Sequence, residues 1–337
     1  MRVVVVGATG NVGTAVVRAL REAPEVETIV GVARRRPGPS LEAEPRVSWV
    51  AADISADPLP VVADADVVVH LAWKIQPSHD EAEMRRTNVD GTRRIVNAML
   101  AGRARKLVYA SSVGTYAAGP KTPRADESWP ATGIPSSTYS RHKAAVERLL
   151  DDVEASHPEL TVVRMRTSLI FQRNAASEIH RLFLGPLAPW RLPRPVRLVP
   201  RTRDLVAQAT HADDVADAYR RAVVGDVRGA FNVAAEPPLT PALMAEVGEG
   251  RTIPVPRLVL RAAAAATYRA RLQPAEPGWV DMALGTPLMD TTRATTELGW
   301  APTRTSLDAL RELLAGMGDG DGADTAPLHP RGRRPSA

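Results

Sequence analysis

The chain contains no cysteine, which excludes a disulfide framework, a thiol nucleophile and a thiolate metal site. Aromatic residues make up only 4% of it and do not interleave with basic ones, so stacking platforms for nucleic acid are excluded. Lysine is scarce as well: Lys74, Lys106, Lys121 and Lys143 are the whole set, and the net charge of +5 comes from arginine. Such an excess reads as codon usage in a GC-rich genome rather than as a nucleic-acid footprint. No apolar run is long enough to cross a bilayer, no secretory signal precedes the first strand, and neither an internal repeat nor a metal-spaced set of histidines and carboxylates is visible. These absences leave a soluble chain of 337 residues, 44% hydrophobic, for which a cytoplasmic location is expected.

What is present begins at once. Residues 1–20, MRVVVVGATGNVGTAVVRAL, read as a buried strand (Val3 to Val6), a turn punctuated by Gly7, Gly10 and Gly13, and a helix with apolar Val12, Val16, Val17 and Leu20 on one stripe. This is the first half of a βαβ unit. Gly7 permits the tight turn, Gly10 allows close approach of a pyrophosphate, and Gly13 allows the helix to pack on the sheet. The free amides at the helix start would face that diphosphate.

A second strand, Glu27 to Ala33, ends where a dinucleotide fold chooses its cofactor. An acidic residue there would accept hydrogen bonds from the ribose hydroxyls of NAD. Ala33 stands in its place, followed by Arg34, Arg35 and Arg36, whose guanidinium forks suit a 2′-phosphate, so NADP is favoured over NAD. Further strands are expected at 47–51, 66–71, 106–110 and 160–165. Asp53, just past the third, either accepts from an adenine amino group or caps the next helix. His70 closes the fourth strand and reads as a packed residue rather than a base. A helix over 81–101 carries Asn88, which can hold a water or a backbone carbonyl in place.

The helix opening Tyr139-Ser140-Arg141-His142-Lys143 carries the chemistry. At i and i+4, Tyr139 and Lys143 share a face. For the phenol to act as a base its pKa of about 10 must fall to near 7, worth about 4 kcal/mol, and a neighbouring ammonium together with a nicotinamide cation makes that plausible. Lys143 is a lysine in a chain that otherwise uses arginine, and arginine lacks the same compact charge.

Taken together, G-A-T-G-N-V-G, H-L-A at residues 70–72, N-V-D-G-T at 88–92, A-S-S-V-G-T-Y at 110–116 and Y-S-R-H-K resemble the extended short-chain dehydrogenases/reductases, the NAD-dependent epimerase/dehydratase family. R-M-R-T-S-L-I-F, H-A-D-D-V-A-D-A, F-N-V-A and E-L-G-W-A-P continue the resemblance to about residue 315. The resemblance implies a Rossmann-like doubly wound parallel sheet with a smaller substrate lobe. It implies Tyr139 as acid/base, Lys143 as its partner and ribose ligand, and Ser112 on the substrate oxygen. Cofactor contacts would come from Gly7, Thr9, Gly10, Asn11, Val12, Gly13, Arg34, Arg35, Asp53, Ile54, Leu71, Ala72, Asn88, Tyr139 and Lys143. Two departures stand out: Ala33 replaces the usual acidic residue, and 164–172 lacks the usual proline and glycine at the entry to the substrate loop.

The expected organisation is a cofactor domain over 1–170, rejoined by 209–234, a substrate lobe over 171–208 and 235–315, and a disordered tail from 316 to 337. The alanine run 262–266 is expected to pack in the core. The expected activity is hydride transfer to or from a small-molecule carbonyl or alcohol, with no nucleic-acid, membrane or metal partner, in a homodimer. A nucleotide-sugar epimerase or dehydratase is the alternative, with Arg181, Arg191, Arg194 and Arg197 as its diphosphate ligands; a non-catalytic dinucleotide sensor is a third reading.

Overall fold

Val3 to Val6 are each at most 1% exposed, because β1 (Arg2–Val6) lies inside a parallel sheet covered on both faces. The computed structural model describes residues 1–75, 80–184, 197–273 and 275–330. β2 (Thr28–Ala33) pairs with β1 on one side and β3 (Val47–Ala51) continues beyond it. On the other side come β4 (Val67–His70), β5 (Lys106–Ala110) and β6 (Thr161–Thr167). The chain then forms two short parallel pairs, β7 (Leu169–Phe171) with β9 (Ala209–His211) and β8 (Leu198–Arg201) with β11 (Arg251–Pro254), and returns to the sheet as β10 (Gly229–Val233) beside β6. The sheet order is β10-β6-β5-β4-β1-β2-β3, all parallel. It reverses direction between β1 and β4, the crevice where open α/β sheets bind ligands.

The first half of the chain contributes α1 (Asn11–Arg21), α2 (Pro39–Glu42), α3 (Pro60–Ala63), α4 (Glu81–Arg85), α5 (Gly91–Leu100) and α6 (Thr138–Ser156). The second half contributes α7 (Ala176–Ile179), α8 (Ala212–Val224), α9 (Pro241–Val247), α10 (Arg257–Arg269), α11 (Gly278–Gly285), α12 (Thr292–Thr296) and α13 (Ser306–Asp319). α1 and α8 bury Val16, Leu20, Val215 and Tyr219 on one face of the sheet; α5 and α6 bury Ile95, Met99, Val146 and Leu150 on the other. This alternation is the doubly wound arrangement that the βαβ pattern predicts. No helix of the described residues is long and apolar enough to cross a membrane.

Three expectations need correction. The helix predicted over 81–101 is broken by a π-helical turn at Arg86–Asp90, which turns Asn88 inward. The alanine run is not core: α10 buries none of its residues, because it lies outside α11 and is joined to it by the Arg261–Asp281 pair. The segment 316–330 is not disordered. Gly316 is buried within α13, Leu328 is fully buried, and the carbonyls of Asp321, Pro327 and His329 accept bonds from Ser177 and Arg181. Its polar composition hides this order, since side chains elsewhere supply the donors for its backbone. Residues 331–337 lie outside the described residues.

Candidate active site

The glycines of the first turn are there for steric reasons. Gly7 has φ +89°, and a Cβ on it would meet the Ala72 nitrogen at 2.6 Å; a Cβ on Gly13 would meet the Gly7 carbonyl at 2.2 Å. At Gly10 the nearest atom to a Cβ is the Gly7 carbonyl at 3.5 Å, so the space above the turn stays open to the cleft. That cradle fits a dinucleotide diphosphate at the start of α1. The cleft, about 550 Å³, is lined by Gly7, Thr9, Gly10, Arg34, Arg35, Asp53, Ile54, Leu71 and Ala72. Asn11, Val12 and Gly13 stand behind this lining: Asn11 donates to the Ile170 carbonyl at 3.1 Å and its Oδ1 accepts from Gln172 at 2.8 Å, while Val12 packs on the core.

At the edge beside β2, Arg34 and Arg35 are exposed, whereas Arg36 is paired with Glu42 at 2.8 Å. Asp53 caps the turn after β3, its Oδ1 accepting from the Ser55 amide at 2.8 Å and the Ser55 hydroxyl at 2.6 Å. Although burial opposes it, these bonds and the Arg34 charge hold the Asp53 carboxyl below its usual range. On the opposite bank the half-buried Glu178 faces the same cleft, its pKa pushed up to about 7 by desolvation.

Past Trp73, which lines one end of the cleft, the surroundings are aromatic. Ser137 caps α6 by accepting from Ser140, placing Tyr139 in the first turn and Lys143 one turn on. Lys143 is 3% exposed; its Nζ donates to the Ala110 carbonyl at 2.5 Å and sits 3.6 Å over the Trp73 ring. It is 5.8 Å from the centre of the Tyr139 ring. Burial holds the lysine well below its ordinary pKa and pushes the phenol up to about 12, against the pull of the Ser112 hydroxyl bonded to it. The expected drop of the phenol toward neutrality is therefore absent in this state. Desolvation outweighs a lysine whose Nζ lies closer to the Trp73 ring than to the Tyr139 ring.

The loop after β4 is fixed by Asn88, whose Oδ1 accepts from the Lys74 amide at 2.7 Å and whose Nδ2 donates to the Lys74 carbonyl at 3.1 Å. This clamp sets the residue beside it, Trp73, over Lys143. Thr92 donates to the Asn88 carbonyl at 2.6 Å and its hydroxyl meets His70 Nε2 at 2.9 Å. His70 is packed as expected, its pKa lowered to about 3 by burial and then by the Lys143 charge.

Sequence reasoning missed the wall around the phenol. Trp73 and Trp279 lie 6.0 and 5.1 Å from the Tyr139 ring. A Cβ on Gly114 would meet the Tyr139 ring at 2.8 Å and the Met282 sulfur at 3.0 Å. α11 reaches this position because the Thr138 amide and hydroxyl bond Glu276 at 2.6 and 3.0 Å, and because Gly278 nearly touches the Ser136 carbonyl. Trp73 had a local signal, directly following H-L-A. Trp279 and Met282 had none, arriving from well over 100 residues away. Of the proposed diphosphate arginines, Arg181 is spent on the Pro327 and His329 carbonyls and Arg197 on the Gly248 carbonyl and Glu249. Arg191 and Arg194 lie outside the described residues.

Known proteins share this build. The model of the NAD dependent epimerase/dehydratase family matches residues 3–234. A 3-diazoavenalumate denitrifying reductase from Streptomyces sp is 30% identical over 91% of this chain and 97% of its own length. A UDP-glucose 4-epimerase from Yersinia pestis is 38% identical, but over only 25% of this chain and 24% of that protein. Among solved structures, UDP-glucuronic acid 4-epimerase from Bacillus cereus in complex with NAD superposes with TM-score 0.69 at 18% identity, covering 95% of this chain and 99% of that one. UDP-glucose 4-epimerase from Thermus thermophilus, also with NAD, gives 0.67 at 21% identity over 94% and 99%. With a glycine cradle at the sheet's switch point, a serine, tyrosine and lysine at its far end and a family match over the whole of that unit, this chain is an NAD-dependent enzyme and belongs to the NAD dependent epimerase/dehydratase family.

Proposed function

We propose that the protein is an NADPH-preferring reductase of a small carbonyl compound. The observation that carries this reading is the geometry around Tyr139: a half-buried phenol, protonated at neutral pH, with Ser112 and Lys143 beside it and the Trp73 and Trp279 rings against it, so that it enters the reaction as a proton donor. When bound, the nicotinamide supplies the hydride. Ser112 holds and polarises the substrate oxygen, and Tyr139 gives its proton from Oη to the alkoxide that develops there. Lys143, one turn on from Tyr139, would hold the nicotinamide ribose by hydrogen bond. Trp73, Trp279 and Met282 line the side of the phenol, and their apolar surface suits a flat, apolar carbonyl compound better than a phosphorylated sugar. Ala33 and the exposed Arg34 and Arg35 support NADP over NAD, and the Streptomyces relative is named for a reductive activity.

The second reading is nucleotide-sugar epimerisation, favoured by the names of the solved structures with this fold. A screen separates the two: NADPH oxidation followed with flat aromatic ketones, and isomer formation followed with UDP-glucose and UDP-glucuronic acid. NADPH oxidation with a ketone and inert UDP-sugars are expected. Isomerised UDP-sugar without net NADPH use would reverse the assignment.

A further inference from the structure

Residues 320–330 fold back across the molecule. Gly320, at φ 73°, ends α13 in a left-handed turn, and the carbonyl of Asp321 accepts from the Ser177 amide at 3.3 Å and hydroxyl at 2.6 Å. The Ala323 amide donates to the Leu328 carbonyl at 2.8 Å, closing a small loop over the fully buried Leu328. A Cβ on Gly322 would meet that carbonyl at 2.1 Å, so the loop needs glycine there.

The loop is tied to both banks of the cofactor cleft. On one bank the Asp324 carbonyl accepts from the Gly38 amide at 2.8 Å and its carboxylate from the Ser40 hydroxyl at 3.3 Å, on the turn that follows Arg34 to Arg36. On the other bank Arg181 donates to the carbonyls of Pro327 at 2.7 Å and His329 at 3.1 Å. The phosphate-binding turn lies between, and Ala326, Pro327 and His329 line the same cleft as Gly7, Gly10, Arg34 and Asp53.

Resting on the reading that this cleft holds a dinucleotide, we propose that residues 320–330 are a wall of the cofactor site: a strap that closes over the diphosphate and adenosine half, held in place by Arg181, with His329 facing the bound cofactor. A cleft roofed this way sheds water from around the diphosphate, which strengthens its bonds to the amides of the glycine turn. Release of the cofactor then requires the strap to lift from Gly38 and Ser40. The cost of the strap falls on dissociation more than on association.

The test compares the full-length chain with two variants, Asp324→Ala with Leu328→Ala in the full-length chain, and a chain ending at Asp319. NADPH affinity and release are read from nicotinamide fluorescence in equilibrium and stopped-flow mode, with circular dichroism checking the fold. Protease cleavage within 320–330 is followed with and without NADPH. Both variants are expected to bind NADPH about tenfold more weakly, chiefly through faster release. Bound NADPH is expected to protect the segment from protease in the unaltered chain. Should truncation prevent folding, the double variant decides. Folded variants that bind and release NADPH as the full-length chain does, or a segment cleaved equally with and without cofactor, would overturn the strap alone. A full-length chain that binds neither NADPH nor NADH would instead overturn the cofactor reading beneath it.

Discussion

The two ends of the cleft are built from opposite materials. Around Tyr139, itself half-buried, stand the half-buried Trp73, Trp279 and Met282, and the buried Lys143 is set over Trp73. Around the turn after β2, Arg34 and Arg35 stand in solvent and the chain's own C-terminal loop reaches over. At the first end desolvation sets proton affinities; at the second, charge and chain closure set grip. The difference predicts that substitutions at the two ends separate into losses of turnover and losses of cofactor affinity.

The largest break in that comparison is Tyr139→Phe. Removing the proton donor is expected to lower kcat with a ketone substrate by about 10²–10⁴-fold while NADPH affinity holds, as read from steady-state kinetics beside a binding titration. At the other end, Arg34→Ser with Arg35→Ser is expected to weaken NADPH by about 10- to 100-fold and leave NADH within about twofold, with kcat at saturating cofactor preserved. If the pair of substitutions weakens both cofactors equally, the arginines do not read the 2′-phosphate.

A smaller effect sharpens the role of Trp73. Trp73→Leu removes a cation–π contact worth up to about 2 kcal/mol from a desolvated ammonium. It is expected to lower kcat/KM by about tenfold and to displace the pH profile, whereas Trp73→Phe restores most of the loss. A profile that keeps its shape in Trp73→Leu would reduce Trp73 to packing.

The last effect is one of stability and not of turnover. His70 has a folded pKa of about 3 against about 6.5 when unfolded, so the unfolded chain binds more protons below pH 6.5. The part of the stability owed to neutral His70 is present above pH 6.5 and is lost as pH falls toward 3. His70→Gln is expected to flatten that part of the curve, by up to about 5 kcal/mol at its acid end, in urea denaturation measured across pH. An unchanged slope would mean that His70 charges without cost.

These predictions also divide what could be read from the sequence from what could not. The glycine turn, the β2 end and the pair Tyr139 and Lys143 were legible because each depends on neighbours within four or five residues, where spacing alone fixes geometry. The turn at Asn88 was half legible: the polar residue was visible, but the π-helical turn that aims it at Lys74 was not. Trp279 and Met282 come to the phenol only through Glu276 holding Thr138, a contact between residues 138 positions apart. The C-terminal loop was read as disordered because its few apolar residues lack periodicity. Its order comes from carbonyls matched to Arg181 and Ser177, which no local pattern encodes. The alanine run failed in the opposite sense, as apolar composition without a surface to cover.

The measurement that bears most directly on the central claim is a fluorescence titration of the purified protein with NADPH and NADH, after checking for cofactor carried through purification. No retained cofactor is expected, and NADPH is expected to bind at least about tenfold more tightly than NADH. Tightly retained NAD, with no preference for NADPH on reloading, would contradict that claim and point to a closed epimerase-like cycle.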